Sequence, residues 1–194
     1  MKSVLLLGSI LLLSACGSMQ SQVVKKNVAF DPDSQAQIRS YGSYGSDLIR
    51  IYPETDCAKW EGTKRNTVNR RFVNGLPRKV RNISIGIPPT ELSRKTEKDT
   101  GFVFRDSYRE MVVSANQPVV LDGAFSSQTR NHHYSCRVAA SFTPKAGEAY
   151  EVRYLSEEEG CDIEVYHIGH EEKDGVRQTK KLTANYCAKP GTSF

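Results

Sequence analysis

The densest group of side chains able to bind a ligand is a basic segment, residues 59–81. It contains eight lysines and arginines against one acid, Glu61. Guanidinium groups pair with phosphates and carboxylates, and aromatic rings can stack on sugar faces. The segment therefore predicts a site for an anionic glycan or lipid, with these candidate residues: Trp60, Lys64, Arg65, Arg70 and Arg71. The alternative, which we favour from sequence, is a solvated loop or edge strand whose charges oppose aggregation.

Four cysteines follow the N-terminal region, and we expect them to form two disulfides: Cys57, Cys136, Cys161 and Cys187. An even number of cysteines is typical of an oxidising compartment, and four allow three pairings. If residues 161–168 and 180–187 form a hairpin, equal counting from its turn places Cys161 opposite Cys187. We therefore prefer Cys161–Cys187, which leaves Cys57–Cys136. The spacing lacks a CxxC pair, so a metal site is not expected.

Two histidines, His167 and His170, lie beside acidic residues and raise the question of a metal site. Residues three apart on a strand face opposite sides, so both would reach one ion only if Gly169 bends the chain. Surface histidines near a turn are the commoner interpretation. We expect no bound metal and no cofactor.

Signatures of catalysis are lacking in the sequence. No Gly-x-Ser-x-Gly elbow is present to hold a nucleophile, and no phosphate loop precedes a helix. The four cysteines are better assigned to disulfides than to thiol catalysis. We therefore expect a protein that is not an enzyme.

Composition limits the class of partner. The formal net charge is +5 over 194 residues, and 25% of residues are charged. This mild positive excess is far from that of a nucleic-acid-binding protein, so no nucleic-acid partner is expected.

The body has the alternating pattern of half-buried strands nearly throughout. Apolar side chains recur every second residue within 134–142, 148–155 and 161–167, and Gly, Pro, Asn or Asp stand between the runs. The pattern predicts a mainly β fold, an antiparallel β-sandwich stapled by two disulfides. Residues 142–150 resemble a hairpin, with Pro144 and Gly147 in its connection. The sequence predicts only one short helix, of one or two turns up to Lys98, with Thr90 as its N-cap.

The N-terminus carries an apolar run of about ten residues, too short to span a bilayer, which needs roughly 20. The run ends in Leu13-Ser14-Ala15-Cys16, which resembles a bacterial lipobox. The resemblance implies that Cys16 becomes the first mature residue and carries lipid on its thiol and amine. The alternative is an ordinary secretory peptide cleaved near Ala15. Gly17 and Ser18 follow instead of Asp, which by the sorting pattern of Gram-negative lipoproteins implies the outer membrane.

A second resemblance lies further along the chain. The stretch Pro144-Lys145-Ala146-Gly147, continuing through Tyr150 and Val152 to a strand opened by Cys161, is similar to a segment of small Gram-negative envelope lipoproteins. This resemblance implies a β-rich envelope domain and transfers no catalytic residue.

These observations give one set of expectations. Residues 1–15 form a lipoprotein signal peptide, 16–34 a flexible lipidated tether, and 35–194 a single β-sandwich domain. The chain is expected at the periplasmic face of the outer membrane, held by lipid on Cys16, as an accessory or interaction module of the envelope. Its expected partners are the membrane, envelope proteins or anionic envelope polymers.

Overall fold

The computed structural model describes residues 23–42, 48–67, 72–73, 76–77, 81–99, 105–128, 130, 133–157 and 160–191. The first half of the chain contains seven strands: β1 Val23–Lys25, β2 Gln35–Gly42, β3 Leu48–Tyr52, β4 Asn66–Thr67, β5 Phe72–Val73, β6 Leu76–Pro77 and β7 Asn82–Ser84. Helix α1 covers Glu91–Lys98. Seven further strands of the described chain follow: β8 Ser107–Ser114, β9 Val119–Gln128, β10 His133–Phe142, β11 Ala149–Glu157, β12 Gly160–Lys173, β13 Val176–Leu182 and β14 Asn185–Gly191.

The prediction of a mainly β, two-sheet fold is confirmed. A seven-stranded sheet has the order β1-β7-β8-β2-β11-β12-β13, and a five-stranded sheet has the order β14-β10-β9-β3-β4. Strands β5 and β6 form a separate two-stranded ladder. The five-stranded sheet is antiparallel, whereas the larger sheet also contains parallel pairs: β1 with β7, β7 with β8, and β2 with β11.

The core lies between the two sheets and uses the side chains that alternate along the strands. Val138 and Ala140 on β10 are fully buried, as are Val152 on β11 and Val165 on β12. They belong to one cluster that draws on both sheets. The period-two pattern therefore identified the inward faces of these strands correctly.

The predicted disulfide pairing is wrong. The bonds join Cys57 to Cys187 and Cys136 to Cys161. The expected hairpin exists, with Val165 opposite Leu182, but the chain leaves the seven-stranded sheet after Leu182. It then enters the other sheet as β14, beside β10, which carries Cys187 away from Cys161.

The predicted hairpin at residues 142–150 is also wrong. Phe142 ends β10 in the five-stranded sheet, and β11 begins at Ala149 in the seven-stranded sheet, so the connection arches from one sheet to the other. The rings of Phe142 and Tyr150 meet edge to face, 5.2 Å between centroids, at the closed end of the arch. Because both partners are buried, this contact seals one end of the core.

Helix α1 forms where the sequence predicted it. The Thr90 side chain accepts a hydrogen bond from the Ser93 backbone N–H, and the Ser93 side chain accepts one from the Thr90 N–H. This reciprocal pair satisfies two backbone donors that the first turn otherwise leaves free. Glu91 in the first turn and Lys98 in the last suit the helix dipole.

The expected flexible tether over 16–34 is too long. Val23–Lys25 forms β1, paired in parallel with Asn82–Ser84, and the Lys26 N–H donates to the Ser84 carbonyl at 2.8 Å. Residues 23–25 of the expected tether are therefore part of the seven-stranded sheet, upstream of the domain start predicted at residue 35. Apolar Val23 and Val24 are half buried, which supplies the physical reason for the pairing.

Candidate functional site

Three of the predicted anion-binding residues, Trp60, Lys64 and Arg65, lie in the loop between β3 and β4, and Trp60 packs on the outer face of the five-stranded sheet. We call residues 59–65 the basic loop. Its cations Lys59, Lys64 and Arg65 are exposed to solvent, and Glu61 is exposed among them. Arg70 and Arg71 lie outside the described residues. The structure therefore brings together only part of the predicted set.

The sequence predicts that the Trp60 ring is available for stacking on a ligand, but in the structure this ring is not exposed. It is buried in a small cluster on the outer face of the sheet, with Tyr52, Val120 and Ala139. The Tyr52 ring meets it edge to face with centroids 5.2 Å apart. Trp60 therefore holds the loop on the sheet and leaves the ligand surface to its charged neighbours.

An arginine pair beneath the loop was missed by sequence reasoning. Asp122 accepts two hydrogen bonds from Arg137, at 2.7 and 3.1 Å, and a third from Arg50 at 2.8 Å. The Asp122 side chain is fully buried, whereas those of Arg50 and Arg137 are 23% and 36% exposed. The Arg137 guanidinium also lies 5.1 Å from the centre of the Trp60 ring.

Asp122 also stabilises the charged form of Arg137 on the outer face of the five-stranded sheet. The hydrogen bonds to Asp122 raise the pKa of Arg137, with the nearby charge of Glu61 contributing less. One buried carboxylate thus orients two guanidinium groups that remain partly open to solvent. The chemistry that this surface offers is pairing with phosphates or carboxylates. Arg50 and Arg137 are 87 residues apart in sequence, so only strand pairing could have revealed them.

The turn leading into the basic loop is built by Asp56. Its side chain accepts from the Ala58 N–H at 3.0 Å, and its carbonyl accepts from the N–H groups of Lys59 and Trp60. The following Cys57 is bonded to Cys187 on β14. The basic loop is therefore fastened covalently at its start and by Trp60 within it.

A second polar cluster lies on the outer face of the seven-stranded sheet, around Arg39 on β2. Arg39 pairs with Glu110 on β8 and Glu151 on β11, and it donates to the carbonyls of Ile87 and Pro88 at 2.8 and 3.0 Å. Burial lowers the pKa of Arg39, but electrostatic interactions with Tyr41 and with the carboxylates of Glu110 and Glu151 outweigh that effect and raise it. Arg39 is therefore a permanent cation inside the protein.

Glu110 and Glu151 bind the segment that covers this face. Glu110 accepts from three successive backbone N–H groups, those of Ile85, Gly86 and Ile87, and from the Ser84 hydroxyl. Glu151 accepts from the hydroxyls of Tyr41 and Thr90. Burial, and then the charge of Glu151, raise the pKa of Tyr41, which keeps it protonated and able to donate. These contacts join residues 84–90 to the sheet.

His167 and His170 do approach a common group. The β12–β13 ladder shifts register between Ile168 and Glu172. His167 Nε2 lies 2.5 Å from Oε2 of Glu148, and His170 Nε2 lies 3.7 Å from the same oxygen. The hydrogen bond from His167 lowers the pKa of Glu148. Within the described part of the chain, no three His, Cys, Asp or Glu side chains are arranged to hold a metal ion.

No helix in the described residues has the length and apolar content needed to cross a membrane.

Comparison of the chain with protein families, with curated proteins and with solved structures finds no match.

Proposed function

We propose that this chain is an exported lipoprotein of the cell envelope, anchored through lipid on Cys16, whose β-sandwich is a non-enzymatic interaction module. In this proposal the signal segment is residues 1–15, and the folded body faces the periplasm from the outer membrane. The observation that carries the proposal is the state of the cysteines. All four cysteines of the described body are in disulfides, and Cys16 is the fifth in the chain.

Disulfides support export because they form and persist in oxidising compartments and are rare in the cytosol. The Cys136–Cys161 bond links β10 to β12, one strand from each sheet, and both cysteines belong to the core. A disulfide between two core cysteines suits a domain that folds in an oxidising compartment, which supports the export that the N-terminal segment implies.

The position of β1 supports a close attachment to the membrane. Seven residue steps separate Cys16 from Val23, which at full extension reach about 25 Å. Val23 lies on the edge strand of the seven-stranded sheet, so the lipid would hold that edge near the bilayer. Lys25, Lys26 and Arg81 are exposed there. Near an anionic lipid surface each would add about 1 kcal/mol of attraction.

The test of this proposal is replacement of the acylated cysteine. Cys16→Ala should move the protein from the membrane fraction to the soluble fraction, whereas the matched Ser18→Ala variant should stay with the membrane. A non-reducing gel shows whether the released protein still forms both disulfides. Membrane retention of Cys16→Ala equal to that of the unaltered protein would contradict the proposal.

A second candidate function is binding of an anionic envelope glycan or lipid. The observation that favours it is the basic loop, which exposes Lys59, Lys64 and Arg65 and is held on the sheet by Trp60, next to Arg137. A fixed loop loses less conformational entropy on binding than a free one. Its contacts with phosphate or carboxylate would weaken as salt concentration rises.

Matched charge variants test the second candidate. We expect a variant with Lys59, Lys64 and Arg65 changed to Gln to lose salt-sensitive binding to lipopolysaccharide or peptidoglycan. The control changes three exposed lysines elsewhere, Lys95, Lys98 and Lys173, and lowers the net charge equally. Equal loss in both variants would indicate non-specific attraction to a basic protein and would reject a loop-specific site.

A further inference from the structure

The two disulfides differ in their access to solvent. Cys136 and Cys161 are 1% and 7% exposed and lie between the sheets. Cys57 and Cys187 are both half buried, in a loop and on the edge strand β14. Thiol–disulfide exchange requires a thiolate to reach one of the sulfurs. The Cys57–Cys187 bond should therefore react faster than the Cys136–Cys161 bond, because solvent reaches it more easily.

The Cys57–Cys187 disulfide has polar neighbours, unlike the Cys136–Cys161 disulfide in the apolar core. Ser141 Oγ lies 3.4 Å from the Cys57 sulfur, and the Asn185 carbonyl oxygen lies 4.0 Å from it. Cys187 packs against the cluster that contains Trp60 and Tyr52. The bond therefore lies between a polar surface and the side chains that hold the basic loop.

The pairing of β14 with its neighbour is irregular, and the loop that carries Cys57 is not part of either sheet. Strand β14 pairs with β10 through a ladder that shifts register twice, between Arg137 and Ala139 and again at Ala140. The loop that follows β3 has a backbone hydrogen bond from Thr55 to Pro118. The disulfide thus joins a loop to an irregularly paired edge strand and is the covalent link between them.

We propose that Cys57–Cys187 is a site of thiol–disulfide exchange with a dithiol reductant, and that its opening releases Trp60 and the basic loop while Cys136–Cys161 stays closed. Local opening of weakly fastened segments, without global unfolding, is a general property of folded domains. Such a bond would make presentation of the basic loop depend on the redox state of this cysteine pair.

The reaction is an ordinary two-electron exchange. A thiolate of the reductant attacks one sulfur of the pair, forms a mixed disulfide and breaks the Cys57–Cys187 bond. The displaced thiolate takes up a proton. The second thiol of the reductant, as thiolate, then attacks the mixed disulfide, which leaves two cysteine thiols here and one disulfide in the oxidised reductant.

The test uses the full chain, purified in detergent and treated with dithiothreitol under native conditions. Samples are alkylated at intervals, and the cysteine-containing peptides are quantified by mass spectrometry. We expect Cys57 and Cys187 to be alkylated at least about tenfold faster than Cys136 and Cys161, since only the first pair is accessible. Trp60 is the only tryptophan, so its emission should shift to the red in the same kinetic phase.

Three outcomes would overturn the inference. They are equal alkylation rates for both pairs, faster alkylation of Cys136 and Cys161, or alkylation of Cys57 and Cys187 with unchanged Trp60 emission. The control carries both Cys57→Ser and Cys187→Ser and should show neither the fast alkylation nor an emission change on reduction. If the double variant fails to fold, the order of alkylation is measured in Trp60→Phe, which keeps the four disulfide cysteines. The inference is then rejected if Cys57 and Cys187 are not alkylated first.

Discussion

Arg39 and Glu110 form an ion pair that solvent does not reach. The Nη2 to Oε1 distance is 2.8 Å, and the two side chains are 2% and 0% exposed. Glu151 is the second carboxylate on the same guanidinium, at 3.0 Å. Because these groups were moved out of water to form the pair, each depends on the others for its stability inside the protein.

Arg39→Met is therefore expected to destabilise the protein by about 3 to 5 kcal/mol, since it leaves two buried carboxylates without their cation. Urea unfolding followed by circular dichroism measures the loss. The control is Arg153→Met, whose side chain is 34% exposed in its pair with Glu164 and should cost at most about 1 kcal/mol. A loss for Arg39→Met no larger than that of the control would show that the buried pair contributes little.

Gly123 on β9 is required by the close approach of Tyr154 from the other sheet. A Cβ built at residue 123 would lie 2.2 Å from Cδ2 of the Tyr154 ring, which is held in place by a hydrogen bond to the Cys136 carbonyl. Gly123→Ala should cost about 1 to 3 kcal/mol by overpacking. The same change in a Tyr154→Leu background should cost less. Equal costs in the two backgrounds would reject the clash as the cause.

Ser40 is a buried residue whose replacement should not destabilise the protein, unlike that of Arg39 or Gly123. Its hydroxyl is buried on β2 and meets no hydrogen-bond partner among the residues that the structure describes. Ser40→Ala removes an unsatisfied polar group, so we expect stability to be unchanged or raised by about 1 kcal/mol. Ser93→Ala is the control, because that buried hydroxyl accepts from the Thr90 N–H, and it should lower stability. A clear destabilisation by Ser40→Ala would indicate a partner for this hydroxyl.

Glu148 makes stability depend on pH. The hydrogen bond from His167 holds the pKa of the folded carboxyl below its ordinary value of 4.5. The contribution is therefore fully present above that ordinary value and is lost as pH falls through the folded pKa. Glu148→Gln should reduce the free energy of unfolding near neutral pH, and the difference from the unaltered protein should shrink in acid. A difference that stays constant down to about pH 3 would contradict this assignment.

Local patterns predicted the strands and the helix because both are set by nearby residues. The alternation that ends at Phe142 identified an inward face, and the Thr90–Ser93 pair fixed the start of α1. Turn chemistry was less informative. Pro144 and Gly147 suit a hairpin and an arch equally, since neither residue specifies which sheet the next strand joins.

Long-range contacts explain what the sequence missed. The disulfide prediction assumed that β13 continues to Cys187, but the chain changes sheets after Leu182. Arg39 and Glu110 are 71 residues apart, so a buried charge on β2 was not visible before its partners were known. The charged segment around Trp60 predicts a ring available for stacking, but its ring packs on Tyr52, a partner that sequence spacing does not reveal.

The most direct test of the proposed function is the mass of the N-terminal peptide from protein purified out of membranes. We expect a peptide that begins at Cys16, with a diacylglyceryl group on the sulfur and a fatty acyl group on the amine. A peptide that begins at another residue, or one that begins at Cys16 without lipid, would contradict the proposal.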